Sequence, residues 1–387
     1  MKRSWVLLAV LWLTANNLRL AIFAVQPVLP DIRHDLGLSF TATGALSSAA
    51  IAMLGLGSIP GTVVGRWLGA RRLVTVMGAA IGVCSLLRLL PPQVFWIFAG
   101  TILLALSASL VQPAIAVLIR RWFADGLNRA SSVYSNGLLV GGTIGASATP
   151  LVAAAVGWRG SFVAWGALAV GVAGLWALLT PRADAPVPRV RLADAFRNAR
   201  AWQVTALFTF QNLAYFGVAA WLPFLLAGRT PAYLSLVFTC LNFLPILPLL
   251  VLPALRWVYA TSAAYYLAMS LLTIAGAAGL AVGLRDLAWL LAFMVGLGCA
   301  GAFVASMALP PLVARSEMDA AAISAIVFTF GYVLSFASPV AAGILVDATH
   351  QVTTAFLPSV GGGILMAVLG LLVPRMVVRS QAAPYAA

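Results

Sequence analysis

The sequence predicts an all-α membrane protein, with twelve transmembrane helices arranged as two pseudo-symmetric six-helix bundles. Three observations carry that expectation. The chain of 387 residues is 63% hydrophobic and only 8% charged, with a mean hydropathy of +1.03, which leaves too little polar side chain to clothe a water-facing surface. Apolar stretches of about 20 residues, each long enough to cross a bilayer as a helix, recur along the whole length. The basic residues, finally, are sorted into alternate loops.

The first apolar stretch, residues 5–30, follows Met1-Lys2-Arg3 and so resembles a signal peptide. It is too long for one, and Arg19 interrupts what would be its core, so it reads as the first span. Spans at 43–64, 73–90, 94–119, 130–156 and 161–179 complete a first set. A second set lies at 202–226, 233–251, 261–283, 287–312, 320–346 and 352–373. One side of this arrangement gathers Lys2, Arg3, Arg66, Arg71, Arg72, Arg120, Arg121 and the arginines of the central linker, while the other holds only Arg33, Arg159, Arg229 and Arg285. Basic loops stay cytoplasmic, so both termini are expected inside a bacterial inner membrane, and the net charge of +14 calls for no nucleic acid. Cys84, Cys240 and Cys299 all fall in apolar stretches and read as small hydrophobes rather than a disulfide or metal framework.

Between the two sets lies the longest polar segment, "TPRADAPVPRVRLADAFRNARA". It divides the chain into a first bundle at 1–180, a cytoplasmic linker at 181–201 and a second bundle at 202–387. Its proline-rich start is extended, and Leu192, Phe196 and Ala199 could form the apolar face of a short surface helix. The halves are weakly alike: "TANNLR" at 14–19 aligns with "TFQNLA" at 209–214. The fifth span carries Gly137, Gly141 and Gly145 before Pro150, and the eleventh carries Gly331 before Pro339 and Gly343. Small residues four apart let helices approach closely, and proline allows a bend. Six plus six spans with matching first helices point to a transporter of two related bundles, its site expected between them near the midplane.

Here the chain resembles the major facilitator superfamily, and within it the cyanate/nitroimidazole permease family. The resemblance is carried by "NNLRLAIFAVQPVLPDIRHDLGLS" at 16–39, Arg88, "RRWF" at 120–123, "YFGVAAWLP" at 215–223 and "GYVLSFASPVAAGILVD" at 331–347. It implies the twelve-helix fold and transport of small anions or polar heterocycles. Leu20 and Gln26 stand where relatives commonly have proline and glycine, and "GTVVGRWLGARR" at 61–72 lacks the aspartate usual in the superfamily's loop between the second and third spans. The segment 141–150 does not reproduce the glycine-proline pattern of drug/proton antiporters.

The polar residues inside the first span carry the functional expectation. On a helix Trp12, Asn16, Arg19, Phe23 and Gln26 share one stripe, with Asn17 beside it. The matching stripe in the second half is Gln211, Ala214, Val218 and Trp221, with Asn212 and Tyr215 close by. A charge near the bilayer centre costs about 2.5–3.5 kcal/mol, and an anion held about 4 Å away recovers about 4 kcal/mol at an effective dielectric of 20. Arg19 therefore suits transient binding of an anion; the alternative is that it bonds carbonyls and amides between helices. Arg88, just before Pro91-Pro92, either gates the outer end, or else snorkels to the headgroups or serves helix packing. Gln112, Asn136, Asn242, Ser306, Thr329 and Tyr332 read as helix–helix hydrogen bonds.

All nine acidic residues sit in loops or at span ends, which removes the usual embedded proton carrier. Both histidines, His34 and His350, lie at the outer face, and "DIRHD" at 31–35 reads as a solvated loop rather than a metal site. No paired carboxylates, nucleophile triad, metal cage or phosphate loop suggests an enzyme or a cofactor. The sequence thus predicts a non-enzymatic permease for a small anion such as cyanate, with Arg19, Asn16, Asn17, Phe23, Gln26, Gln211, Asn212, Tyr215 and Trp221 around the substrate and Arg88 a candidate gate. An exporter or permease of neutral heterocycles is one alternative, and a non-transporting membrane sensor or scaffold is another. The partners expected are the substrate and the lipid bilayer, around a monomeric chain.

Overall fold

The computed structural model describes residues 2–182, 196–247, 261–314 and 317–381, and among them helices and their connecting turns make up the fold, with no strand. Prolines and glycines set where the helices stop. Helix α1, Lys2–Phe23, ends because Pro27 has no N–H to donate to the carbonyl four residues back. A 3₁₀ turn, Gln26–Val28, follows, then α2, Leu29–Leu36, which tolerates Pro30 in its first turn and closes on Gly37 at φ 62°. The polar, partly aromatic stripe expected to run from Trp12 to Gln26 therefore stops at Phe23, and Gln26 sits in the turn beyond it.

The second span is broken. Helix α3, Phe40–Leu56, and α4, Ser58–Leu68, bend by 62° at Gly57. Pro60 interrupts the hydrogen-bond ladder there, and Gly57 and Gly61 lie directly on the next helices' neighbour α6, Gln93–Trp122, so close that a Cβ on Gly57 would meet Ser109 Cβ at 2.5 Å. Helix α5, Ala70–Leu87, precedes α6. Helix α7 nominally runs Leu127–Leu179, but the backbone leaves the helical region at Gly157 (φ 73°, ψ 167°), which makes it two spans, as the sequence predicts.

In the second half, α8, Ala199–Leu225, starts where the Asn198 side chain accepts from the Arg200 N–H. It is followed by α9, Pro231–Asn242, and by α10, Ala263–Ala281, which Ser262 caps through the Tyr265 N–H. Helices α11, Ala288–Val313, α12, Glu317–Ser335, α13, Ala337–Thr349, and α14, Leu357–Gln381, complete the chain. The break between α12 and α13 falls where Pro339 cannot donate to the Ser335 carbonyl. Residues 248–251 of the expected eighth span and Leu192 of the expected linker helix lie outside the described residues; Phe196 packs its ring on Trp202 and Phe330.

Eight helices among the described residues are long and apolar enough to cross a bilayer, or nine if α3 and α4 form one span. One of the eight is the doubled α7, α8 spans 27 residues with Gln211 and Asn212 midway, and α9 is a shorter apolar helix, so the arrangement is consistent with twelve crossings.

The residues cluster into two compact units. The first comprises Met1–Leu38, Ala49–Arg189 and Gly228–Ser235; the second comprises Ser39–Ser48, Val190–Ala227 and Leu236–Ala387. In the first, α1 runs parallel to the opening limb of α7. A Cβ on Gly137 would meet Trp12 O at 2.7 Å, one on Gly141 would meet Asn16 C and Cα at 2.6 and 2.7 Å, and one on Gly145 would meet Leu20 C at 3.1 Å. Backbone thus lies on backbone over two turns, the contact that small residues four apart permit.

The second unit repeats the motif. Helix α8 runs parallel to α12 and α13: Phe208 packs against Gly331, the Ser335 hydroxyl donates to Thr209 O at 3.2 Å, and the Trp221 indole donates to Pro339 O at 3.3 Å. This unit also includes the start of α3. The Asp347 carboxylate on α13 accepts from Phe40 N at 3.0 Å, Thr41 N at 2.8 Å and the Thr41 hydroxyl at 2.6 Å. Gly343 makes room for this contact, since a Cβ there would lie 2.8 Å from Thr41 Cα.

Candidate functional site

The polar residues of α1 are held by the glycine contact just described. Asn16 lies with its backbone on Gly141, and Trp12 donates through its indole to Asn136 Oδ1 at 2.8 Å, which ties the same two helices together a turn earlier. Around these contacts several buried polar atoms have no hydrogen-bond partner among the described residues: Thr14 Oγ1, Asn16 Nδ2, Asn17 Oδ1 and Gln26 Oε1. Leaving a buried donor or acceptor unmade costs about 1–3 kcal/mol, so such a set within one span and its following turn marks a place where something else supplies the bonds. Donor and acceptor atoms are both represented.

Arg19 sits among them, half-buried. Its charge acts on the phenol of Tyr134 at the start of α7, whose hydroxyl is itself buried without a partner. Tyr134 was not singled out by its sequence, although a signal was there: residues 134, 137, 141 and 145 share one helical face, and the glycines on that face point it at α1. Phe23 is buried, and a Cβ on Gly142 would touch its ring at 3.8 Å.

On α8 in the second unit the corresponding residues divide. Gln211 is buried and its Oε1 has no partner among the described residues. Asn212 is buried too, but its amide donates back to Phe208 O at 2.9 Å within the helix. The Tyr215 hydroxyl donates to Asn242 Oδ1 at 2.5 Å, and the Asn242 amide in turn donates to Phe238 O at 2.8 Å. Trp221 is 1% exposed and packs its ring against Phe40 and Phe224, so here it is a packing residue rather than an open aromatic face. Tyr332, one of the helix–helix candidates, joins a ring cluster with Phe208, Phe216 and Phe328. Ser306 Oγ and Thr329 Oγ1 are buried without partners.

Arg88 departs from one of its expected roles. It does not snorkel: the residue is 1% exposed, and its guanidinium carbon lies 4.6 Å from the centre of the Phe162 ring. Space for its stem comes from Gly100 on α6, where a Cβ would fall 2.8 Å from both Arg88 Cγ and Cys84 O. The neighbouring Ser85 hydroxyl donates to Phe162 O at 3.0 Å. None of the three guanidinium nitrogens has a hydrogen-bond partner among the described residues.

At the α2 end of the first unit, Asp35 accepts from the Trp158 indole at 2.9 Å and from Arg159 at 2.6 Å, while Arg159 also reaches Gln93. This exposed cluster ties the second limb of α7 to α2. His34, whose Nδ1 lies 3.6 Å from Asp35, has an exposed side chain.

The sequence profile described as the Major Facilitator Superfamily matches residues 11–339. A 2-nitroimidazole transporter of Escherichia coli is 25% identical over 390 residues, covering 97% of this chain and 96% of its own. The cyanate transport protein of the same organism is 25% identical over 344 residues, covering 88% and 89%. An uncharacterized transporter of Bacillus subtilis is 23% identical over 373 residues, covering 95% and 92%. Among solved structures, a bacterial homolog of the human lysosomal transporter Spinster, inward-facing and unoccupied, matches with a TM-score of 0.79 at 14% identity over 99% of both chains. A D-xylose–proton symporter matches with a TM-score of 0.74 at 14% identity, over 97% of this chain and 98% of that one. Identities this low speak for the fold alone.

Proposed function

Since the chain belongs to the major facilitator superfamily, whose profile spans residues 11–339, and is a multi-pass membrane transporter, we propose that its cargo is a small anion such as cyanate, moved across a bacterial inner membrane by alternating access. The observation that carries this reading is Arg19: a cation in the middle of an apolar span, half-buried beside amide and hydroxyl atoms that have no partners among the described residues. Arg19 supplies the charge, and Asn16, Asn17 and Gln26 supply hydrogen bonds from α1 and the turn after it. On α8, Gln211 and Asn212 are the second-half candidates, while Tyr215, whose hydroxyl proton goes to Asn242 Oδ1, has a shaping role. A relative 25% identical is a cyanate transport protein, which is in keeping with a compact anion as cargo.

The energetics favour turnover over trapping. An ion pair at about 4 Å recovers about 4 kcal/mol at an effective dielectric of 20, which is comparable to the cost of keeping the arginine in the span. With every carboxylate in a loop or at a span end, the proposal is facilitated diffusion or anion exchange rather than obligatory proton coupling through an embedded acid. Neutral polar heterocycles are a second reading, supported by Trp12 and Phe23 on the Arg19 face and by the nitroimidazole relative at 25% identity.

Arg19→Ala is expected to abolish binding of cyanate in the purified, folded protein. Arg19→Lys should keep part of it, since lysine retains the charge but lacks the planar fork. Asn16→Ala should weaken binding less, by the worth of one neutral hydrogen bond, about 0.5–1.5 kcal/mol. If Arg19→Ala lowers thermal stability and leaves the cyanate dissociation constant unchanged, Arg19 joins helices and does not hold substrate. A panel of small anions against nitroimidazoles, run as competitors of uptake into proteoliposomes, separates the two cargo classes.

A further inference from the structure

The proposed transport site leaves one charged group unused. Arg88 ends α5 inside the first unit, sealed from solvent at 1% exposure, with all three guanidinium nitrogens lacking hydrogen-bond partners among the described residues. An arginine stays protonated in proteins, so this is a buried positive charge rather than a group that can neutralise itself. Among the described residues no carboxylate pairs with it, and the titratable side chain whose field reaches it is the Cys84 thiol, a turn earlier on the same helix. The Phe162 ring face covers one side of the guanidinium plane at 4.6 Å. That contact attracts a cation but accepts none of its five N–H bonds.

The surroundings are shaped to keep the group there. Gly100 yields the volume that the Arg88 stem fills. Thr101, the next residue along α6, has a buried hydroxyl with no partner among the described residues. Residues that make room for a charge and then leave it unpaired describe a site for a counter-charge, because buried charges are paired in stable proteins.

We propose that Arg88 anchors a binding site for one small monovalent anion within the N-terminal bundle, in addition to Arg19. The Arg88 fork donates to the anion in its plane while Phe162 covers its face. A single positive charge in a closed site sets the class: a halide or an anion of similar size and charge, since a divalent one would leave the site with a net negative charge. The inference does not rest on the cargo proposed above. The same chemistry has two sources, a resident halide and the transported anion itself.

The test uses the full chain purified in detergent, in gluconate buffer of constant ionic strength titrated with bromide. An Arg19→Met background removes any contribution from the transport site. The unfolding midpoint should rise with the logarithm of bromide once its dissociation constant is passed. Arg88→Met, which removes the unpaired charge and refills the space with an apolar chain, should fold, be at least as stable as the bromide-free parent, and show no bromide dependence. Crystals grown in bromide should show an anomalous peak beside the Arg88 guanidinium. Cyanate replaces bromide in a second arm: stabilisation by bromide alone identifies a resident halide, and stabilisation by both shows that the site also takes cyanate. An unchanged midpoint in both anions, or a bromide response that survives in Arg88→Met, overturns the proposal.

Discussion

Gly141 and Gly142 are adjacent in α7, and their contacts differ enough to test the α1–α7 packing with one methyl group each. A Cβ on Gly141 would lie 2.6 and 2.7 Å from the Asn16 C and Cα atoms, whereas one on Gly142 would rest 3.8 Å from the Phe23 ring. Asn16 backbone cannot rotate away as a side chain could. Restoring an ordinary carbon–carbon contact of about 3.5–4.0 Å requires the helices to part by roughly 1 Å, a gap that forfeits a quarter to a half of the attraction of each contact it opens. Gly141→Ala should therefore destabilise the protein by about 1–3 kcal/mol, the usual cost of overpacking. Gly142→Ala should be neutral or stabilising by up to about 1 kcal/mol, because alanine favours a helix where glycine does not. Thermal unfolding of the two purified variants beside the parent reads the difference. Because Asn16 and Arg19 ride on the displaced helix, Gly141→Ala should also slow uptake in proteoliposomes. Equal midpoints for the two variants would refute the close approach of α1 to α7.

Two further outcomes follow from the same geometry. Asp347→Ala removes the acceptor of two backbone N–H groups and one hydroxyl at the start of α3, and should cost about 0.5–2 kcal/mol, the range measured for lost helix caps; Asp347→Asn, with one acceptor oxygen left, should fall between Asp347→Ala and the parent in thermal unfolding. For orientation, a cysteine in place of His34 or Gln351 should react with impermeant thiol reagents added outside cells and one in place of Arg72 should not, with the reverse pattern overturning the loop-charge assignment.

Much of the helical plan is legible in the sequence because its signals are local. The glycines at 137, 141 and 145 lie four residues apart, so they predict which face of α7 meets another helix, and the structure puts α1 there. Gly157, in the loop expected between two spans, is where α7 turns. The site was less legible where two helices must be known at once. Gln26 fits the 3.6-residue period of α1, yet the period ends before it because Pro27 and Pro30 lie downstream. Arg88 stands beside Pro91-Pro92, which suggests the headgroup level, but its burial depends on Gly100 in another helix, and nothing near Arg88 in the sequence announces that space. Trp221 matches the polar stripe of α8 in register, while its packing against Phe40 comes from a residue 181 positions earlier.

That contact with Phe40 reaches beyond packing. The sequence repeat divides the chain at its linker, as a duplicated gene would, but Ser39–Ser48 of the first copy is built into the second unit. A C-terminal fragment cut at the linker would leave Asp347 without the N–H groups it now receives and the surface beside Gly343 without the backbone that fills it. Complementation between separately expressed fragments should succeed only when the N-terminal fragment carries the beginning of its second helix, and a free peptide spanning that beginning should compete with it.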